Sequence, residues 1–385
     1  MSSLAIPFFR PSIGEAEIEA VVAVLRSGWL TTGSRSKLFE EAFSVFLGDT
    51  NIQAIAVNSA TAGLHLAAEA CGIGPGDAVL VPTLTFSATA AVFRHLGADI
   101  ILVDVHPDSL TIDLEDAARR ITARCKAIAP VHFGGWPCDM DEILAFAQKH
   151  GLRVIEDAAH ALPAHRQNRK VGTSGSDACV FSFYANKTIT TGEGGMLVTR
   201  DEGIAARARV MRLHGLDRDA FDRFRSVTAN WAYDIVAPGF KYNLTDLAAS
   251  IGIVQLDRAY EFQRQREHLA LRYAEALADL PIDLPALAPE GGQHAWHIFP
   301  IRVREHAPIG RDALIATLTQ NGIGSSVHYC PLHLMTYWRQ NAQKAIYPFP
   351  VADRYFAGAV TLPLFPGMKD HELDRVCSVL RAVLR

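Results

Sequence analysis

The sequence predicts an α/β protein, with a large domain built on a mostly parallel mixed sheet flanked by helices and a smaller α+β domain after it. Three observations predict this. Short apolar runs alternate with helix-like stretches between residues 50 and 200. The runs are continuously hydrophobic rather than alternating, as expected of strands covered on both faces. After Leu213 the alternation stops, and a helix-rich segment with a single clear strand follows.

Taken in order, Ala78–Val81, Ile100–Val103, Ala127–Ala129, Val154–Ile155, Cys179–Phe181 and Met196–Val198 read as buried strands, with helices at Ala62–Ala70 and Met140–His150 between them. Residues 216–240 are polar, aromatic and punctuated by Gly and Pro, long enough to be a functional loop. A helix broken once spans roughly Leu244–Leu280, and residues 281–293 read as a linker. His297–Val303 follows as a strand, Arg311–Asn321 as a helix and Asp370–Leu384 as a closing helix. The expected division is a large domain over 1–250 and a small one over 251–385.

Composition narrows the function. The 385 residues carry 37 Lys+Arg against 41 Asp+Glu, a net charge of −4. With both signs interspersed, this offers no electrostatic case for nucleic acid or an anionic membrane. No apolar run reaches the ~20 residues of a membrane helix, and no secretory signal is visible at Met1–Pro11. The six cysteines (71, 125, 138, 179, 330, 377) are scattered without a CxxC pair. That disfavours a disulfide framework or a metal site and points to a reducing cytoplasm.

Several residues could carry chemistry, each with a structural alternative. Lys187 lies just past a buried strand in CVFSFYANKTITTGEGG, where desolvation would lower an amine's pKa; a solvated loop lysine is the alternative. Asp157 ends another strand in EDAAH and could pair with a protonated ring nitrogen, or simply cap a helix. Ser59, Ala60 and Thr61 open a helix and could present N–H groups to a phosphate, or serve only as its cap. Ser182 could add a hydroxyl. Phe86 could stack on a ring or belong to the core. An amine, a carboxylate, an aromatic and a phosphate cradle are together what pyridoxal phosphate requires.

The order of these blocks resembles the DegT/StrS family of sugar-nucleotide aminotransferases, fold-type-I enzymes that use pyridoxal phosphate. The resemblance is carried by NSATAGLHLA (58–67), GIGPGDAVLVPTLTFSATA (72–90), VDVHPDSLTID (103–113), AIAPVHFGG (127–135), VIEDAAHA (154–161), FSFYANKTITTGEGGMLVT (181–199) and GFKYNLTDLAASIGIVQL (239–256). It implies that Lys187 holds the cofactor as a Schiff base and shuttles the proton, that Asp157 binds the pyridine nitrogen and that Phe86 stacks on the ring. Ser59, Ala60, Thr61 and Ser182 would hold the phosphate. His160 would lie near the ring's 3-hydroxyl. Many relatives carry Gln there, and His is more similar to the branch forming 4-amino-4-deoxyarabinose.

The resemblance also implies a homodimer with shared active sites, completed by the segment Gly239–Thr245 of the other subunit. Many relatives have Asn where this chain has Lys241, so whether Lys241 or Asn243 reaches the phosphate stays open. Trp29, Thr31 and Thr32 resemble a stretch lining the sugar pocket. His328, with His333 nearby, resembles a region near the nucleotide-sugar. The implied reaction moves an amino group from L-glutamate to a nucleotide-linked keto-sugar, with C4 preferred over C3, for a cell-surface polysaccharide or another glycan. A sugar dehydratase of the same fold would carry His in place of Lys187, and a silent regulatory member would have lost the Lys187/Asp157 pair. Against another fold-type-I activity on amino acids, such as an aldolase, GEGG after the lysine and GFKYNLTD favour the sugar branch.

Overall fold

The structure, a computed structural model, describes residues 5–217, 233–288, 291–342 and 348–385. Most of the expected functional loop at 216–240 therefore lies outside the described residues.

A seven-stranded sheet forms the centre. Its strands are β1 (Gln53–Val57), β2 (Ala78–Pro82), β3 (Asp99–Val103), β4 (Cys125–Ile128), β5 (Arg153–Asp157), β8 (Ala178–Ser182) and β9 (Gly195–Thr199), in the order β1-β9-β8-β5-β4-β2-β3. Between β5 and β8 a two-stranded hairpin pairs β6 (His165–Arg166) with β7 (Arg169–Lys170). β3, β2, β4, β5 and β8 run parallel, while β9 is antiparallel to both β8 and β1. The sheet is thus mixed and mostly parallel, as the apolar runs predicted. β2, β8 and β9 are buried at every residue, because helices cover both faces.

The helix Ala60–Ala70 shows how sequence sets this packing. Its residues are small and apolar, and Ala62–Ala68 are all buried. Gly63 lets it lie close on the sheet, since a Cβ there would meet Val180 Cγ1 at 2.7 Å. Elsewhere acidic caps start the helices: Asp113, Asp139 and Asp201 each accept main-chain N–H groups of the first turn.

The C-terminal part adds a three-stranded antiparallel sheet of β10 (Ile282–Asp283), β11 (Phe299–Val303) and β12 (Ala359–Leu362). It packs with the helices Ala259–Leu277, Arg311–Gln320 and Asp370–Leu384 around a second core containing Tyr273, Phe299, Leu318, Phe365 and Leu380. The long helix breaks at Arg258, between Asp246–Asp257 and Ala259–Leu277. Two sequence expectations need correction. The segment 281–293 is not all linker, since β10 lies within it. The strand foreseen at His297 begins at Phe299, because the N–H groups of His297 and Ile298 donate to Gly134 O instead (3.0 and 3.4 Å).

Candidate active site

The carboxyl ends of β2, β5 and β8 open into a cavity of about 510 Å³, where open α/β sheets place their ligands. Ser59, Ala60, Thr61, Phe86, Asp157, His160, Ser182, Lys187 and His328 all line it, so nine of the residues singled out in the sequence meet in one place.

Asp157 closes β5 and is buried. Its Oδ2 accepts from Thr89 Oγ1 at 2.7 Å and its Oδ1 from the Ala159 N–H at 3.0 Å. With its proton given to Asp157, Thr89 Oγ1 accepts in turn from Thr85 Oγ1 at 2.8 Å. A carboxylate offers about four acceptor positions, so this one keeps capacity for a further N–H donor.

Lys187 sits in the turn after β8, its N–H bonded to Tyr184 O at 2.9 Å. The residue is half-buried, but its ammonium end lies deep in the protein. Burial, reinforced by the charge of Arg266 and opposed by Asp157, lowers its pKa from 10.5 to about 8. Nζ lies 3.3 Å from His297 Nε2.

His160 lies between two partners. Its Nδ1 accepts from the Gly134 N–H at 3.2 Å, so the neutral ring carries its proton on Nε2, 3.1 Å from Tyr329 Oη. Burial, with the charge of Lys187, holds its pKa well below the usual histidine range. The Tyr329 hydroxyl accepts from His160 and keeps its own proton to donate, and burial raises its pKa, the opposite of its effect on the histidine.

The helix start is shaped for an anion. Ser59 Oγ accepts from the Ala62 N–H at 3.1 Å, so its hydroxyl serves as the cap. The N–H groups of Ala60 and Thr61 have no partner within a helix. Gly195 keeps the approach open, for a Cβ there would stand 2.7 Å from Ala60 N. Ser182 Oγ accepts from the Tyr184 N–H at 3.3 Å. Phe86 is 60% exposed at the cavity lip, its ring 5.9 Å from that of Tyr329. His328 Nδ1 bonds Thr361 Oγ1 at 2.9 Å, and burial together with the charge of Lys187 brings its pKa to about 4. His333 bonds Thr83 and Asp353 and is not part of the lining.

Five sequence candidates lie outside the lining of this chain's own cavity: Trp29, Thr31, Thr32, Lys241 and Asn243. They form a separate unit. Trp29 Nε1 donates to Thr32 O at 3.1 Å, and Thr31 O accepts from the Asp246 N–H at 3.1 Å. Thr32 Oγ1 donates to Leu244 O at 2.5 Å and accepts from Asn243 Nδ2 at 2.6 Å, while Lys241 Nζ bonds Asn243 Oδ1. This unit adjoins a wider groove of about 800 Å³, lined by Thr32, Gly33, Glu40 and Arg212 among others.

Residues 11–381 match the model of the DegT/DnrJ/EryC1/StrS aminotransferase family. The chain belongs to this family. It is 42% identical over 382 residues to the spore coat polysaccharide biosynthesis protein SpsC of Bacillus subtilis, covering 99% of this chain and 97% of that protein. Its fold superposes on the putative sugar aminotransferase Spr1654 of Streptococcus pneumoniae in its PMP form, with a TM-score of 0.91, 33% identity and 98% of each chain covered. Helicobacter pylori PseC, an aminotransferase of pseudoaminic acid biosynthesis, gives 0.89 at 26% identity over 99% of each chain. The fold is that of fold-type-I aminotransferases, and pyridoxal phosphate is the family's cofactor.

The cavity suits that cofactor. It offers a buried carboxylate with spare acceptor capacity, an amine whose pKa is lowered, and a helix start whose first N–H groups have no partner within the helix. Asn186 also lines it, with a buried Oδ1 that has no partner. Sequence reading missed Thr89, Tyr329, Asn186 and His297. Tyr329 and Asn186 stood beside His328 and Lys187, which were singled out, and Thr89 lay three residues after Phe86. His297 was absorbed into the apolar pattern of a strand, although two histidines flanking a tryptophan in His294-Ala-Trp-His297 were a usable signal.

Proposed function

We propose that this sugar aminotransferase moves the amino group of L-glutamate to a nucleotide-linked keto-sugar, with C4 preferred over C3. The observation that carries the reading is the meeting of Lys187, Asp157 and His160 in one cavity of a family member that keeps its lysine. Bound there, pyridoxal phosphate supplies the electron sink that stabilises negative charge beside the transferred nitrogen.

The protein's own groups do the rest. Asp157 is placed to accept from the ring nitrogen and keep it protonated. Lys187, its pKa lowered to about 8, can both take and return a proton at Nζ. His160, neutral and donating to Tyr329, fixes that hydroxyl at the cavity wall. Ala60, Thr61 and Ser182 would take the phosphate, Phe86 would cover the ring, and His328 would face the sugar.

In this reading the enzyme is a homodimer. The unit of Trp29, Thr31, Thr32, Lys241 and Asn243 serves the partner's cavity, which accounts for its absence from its own. The six cysteines are all free, in keeping with a cytoplasmic setting. The test is a panel of 3-keto and 4-keto nucleotide sugars incubated with L-glutamate, with amino sugar and 2-oxoglutarate quantified. Turnover of 4-keto substrates supports the reading. Turnover of 3-keto substrates alone removes the C4 preference, and no turnover on the panel removes the substrate class.

A further inference from the structure

His297 is a buried histidine in contact with Lys187, just outside the cavity lining, that the reaction outlined above does not use. Its Nε2 stands 3.3 Å from Lys187 Nζ. Its Nδ1 is buried with no hydrogen-bond partner. An ammonium has only N–H groups to give, so Nε2 must accept and the ring proton must sit on Nδ1. Nζ keeps N–H bonds as a neutral amine too, so the same bond survives when Lys187 gives up its proton.

The imidazole is fixed on both sides. In front, the His160 ring lies 4.3 Å away at 37°. Behind it, Arg266 is 2% exposed, and its Nη1 donates to the carbonyls of Trp296 (3.3 Å), His297 (3.1 Å) and Leu364 (2.9 Å). That guanidinium clamps the backbone carrying His297. Burial, with the charges of Lys187 and Arg266, keeps the imidazole well below the usual histidine pKa. His297 is therefore an acceptor that does not itself gain a proton.

We propose that His297 is a positioning residue for the amino transfer, a fixed acceptor that holds the Lys187 nitrogen in one place whenever that nitrogen is not bonded to the cofactor. The inference rests on the aminotransferase reading and deepens it. A lysine released from the cofactor has a flexible four-carbon stem and would otherwise wander from the reacting carbon. Held through one N–H, the neutral amine keeps its lone pair for proton transfer.

The cofactor-free, full-length protein tests this without any substrate. Lys187 is competitively labelled with acetic anhydride as a function of pH and read by peptide mass spectrometry. In the wild type the labelling midpoint falls at about 8. Lys187 faces Asp157, Arg266, His160, His328 and Tyr329, and none of these is altered. His297→Phe removes the acceptor, and the ammonium loses a hydrogen bond that favours it. Its midpoint falls, and at neutral pH Lys187 labels on the order of tenfold faster. His297→Gln, which keeps an acceptor oxygen, stays near the wild-type curve. In the holoenzyme the Phe variant loses kcat with little change in KM for L-glutamate.

If His297→Phe does not fold, His297→Asn, whose shorter side chain withdraws the acceptor, is read in the same way. Coincident curves for wild type and the acceptor-lacking variant, or a raised midpoint in that variant, would overturn the proposal. Because labelling needs no sugar, a negative keto-sugar panel beside a shifted midpoint would count against the substrate reading alone.

Discussion

At the scale of single residues, the site trades stability for reactivity. Lys187 has its ammonium end buried, and its pKa falls from 10.5 to about 8. Between those values the unfolded chain holds a proton that the folded chain has lost, so the stability of the cofactor-free protein rises with pH across that window. Below about 8 both states are protonated and the penalty is constant. Lys187→Met should therefore stabilise the cofactor-free protein at neutral pH, by up to about 3 kcal/mol, while abolishing turnover. Thermal melts of the two proteins at neutral pH and again above the lysine's unfolded pKa check this, since the difference should shrink at the higher pH. Asp157→Asn keeps the shape but removes the charge that would hold the ring nitrogen protonated. We expect kcat to fall by on the order of a hundredfold or more while the fold is kept, measured by steady-state kinetics beside circular dichroism.

At the scale of elements, the helix Ala60–Ala70 opens at the end of the cavity proposed for the phosphate, and Gly195 is where β9 meets it. Gly195→Ala would drive a methyl against the backbone of Ser59 and Ala60. The expected result is cofactor affinity at least about tenfold weaker, with a lower melting temperature, checked by equilibrium titration with pyridoxal phosphate. Ser59→Ala should cost only about 1 kcal/mol of stability, the ordinary loss of an N-cap, and leave the cradle formed. The strands of the large sheet were legible because each is a continuous apolar run bounded by turns. β10, a two-residue strand, and β12, inside an apolar stretch that ends a helix, carry too little pattern to be read alone. The main residues of the site were legible for a different reason: Asp157, Ser182 and Lys187 each follow a strand that the hydrophobic pattern marks. His297 was not, because its place is set by Gly134, which is distant in sequence and captures its N–H.

At the scale of the whole molecule, the sequence cannot show by spacing alone that two segments far apart in the chain form one unit. Trp29–Gly33 and Lys241–Asp246 do so through Thr32, Asn243 and Asp246, away from their own chain's cavity. If that unit completes the partner's site, defects in different subunits should complement. Mixing Lys187→Ala chains with Asn243→Ala chains leaves each heterodimer one intact site, so about a quarter of wild-type activity should return in a symmetric dimer. An equal mixture as inactive as its parents, with exchange shown by native mass spectrometry, would mean that the sites are not shared. Whether Lys187 and its cavity carry an amino group from glutamate to a nucleotide-linked keto-sugar is decided by following the two half-reactions in absorbance. Amino transfer through Lys187 requires that L-glutamate abolish the long-wavelength band of the lysine-bound cofactor and that a 4-keto nucleotide sugar restore it. A holoenzyme whose band is unchanged by L-glutamate would contradict it.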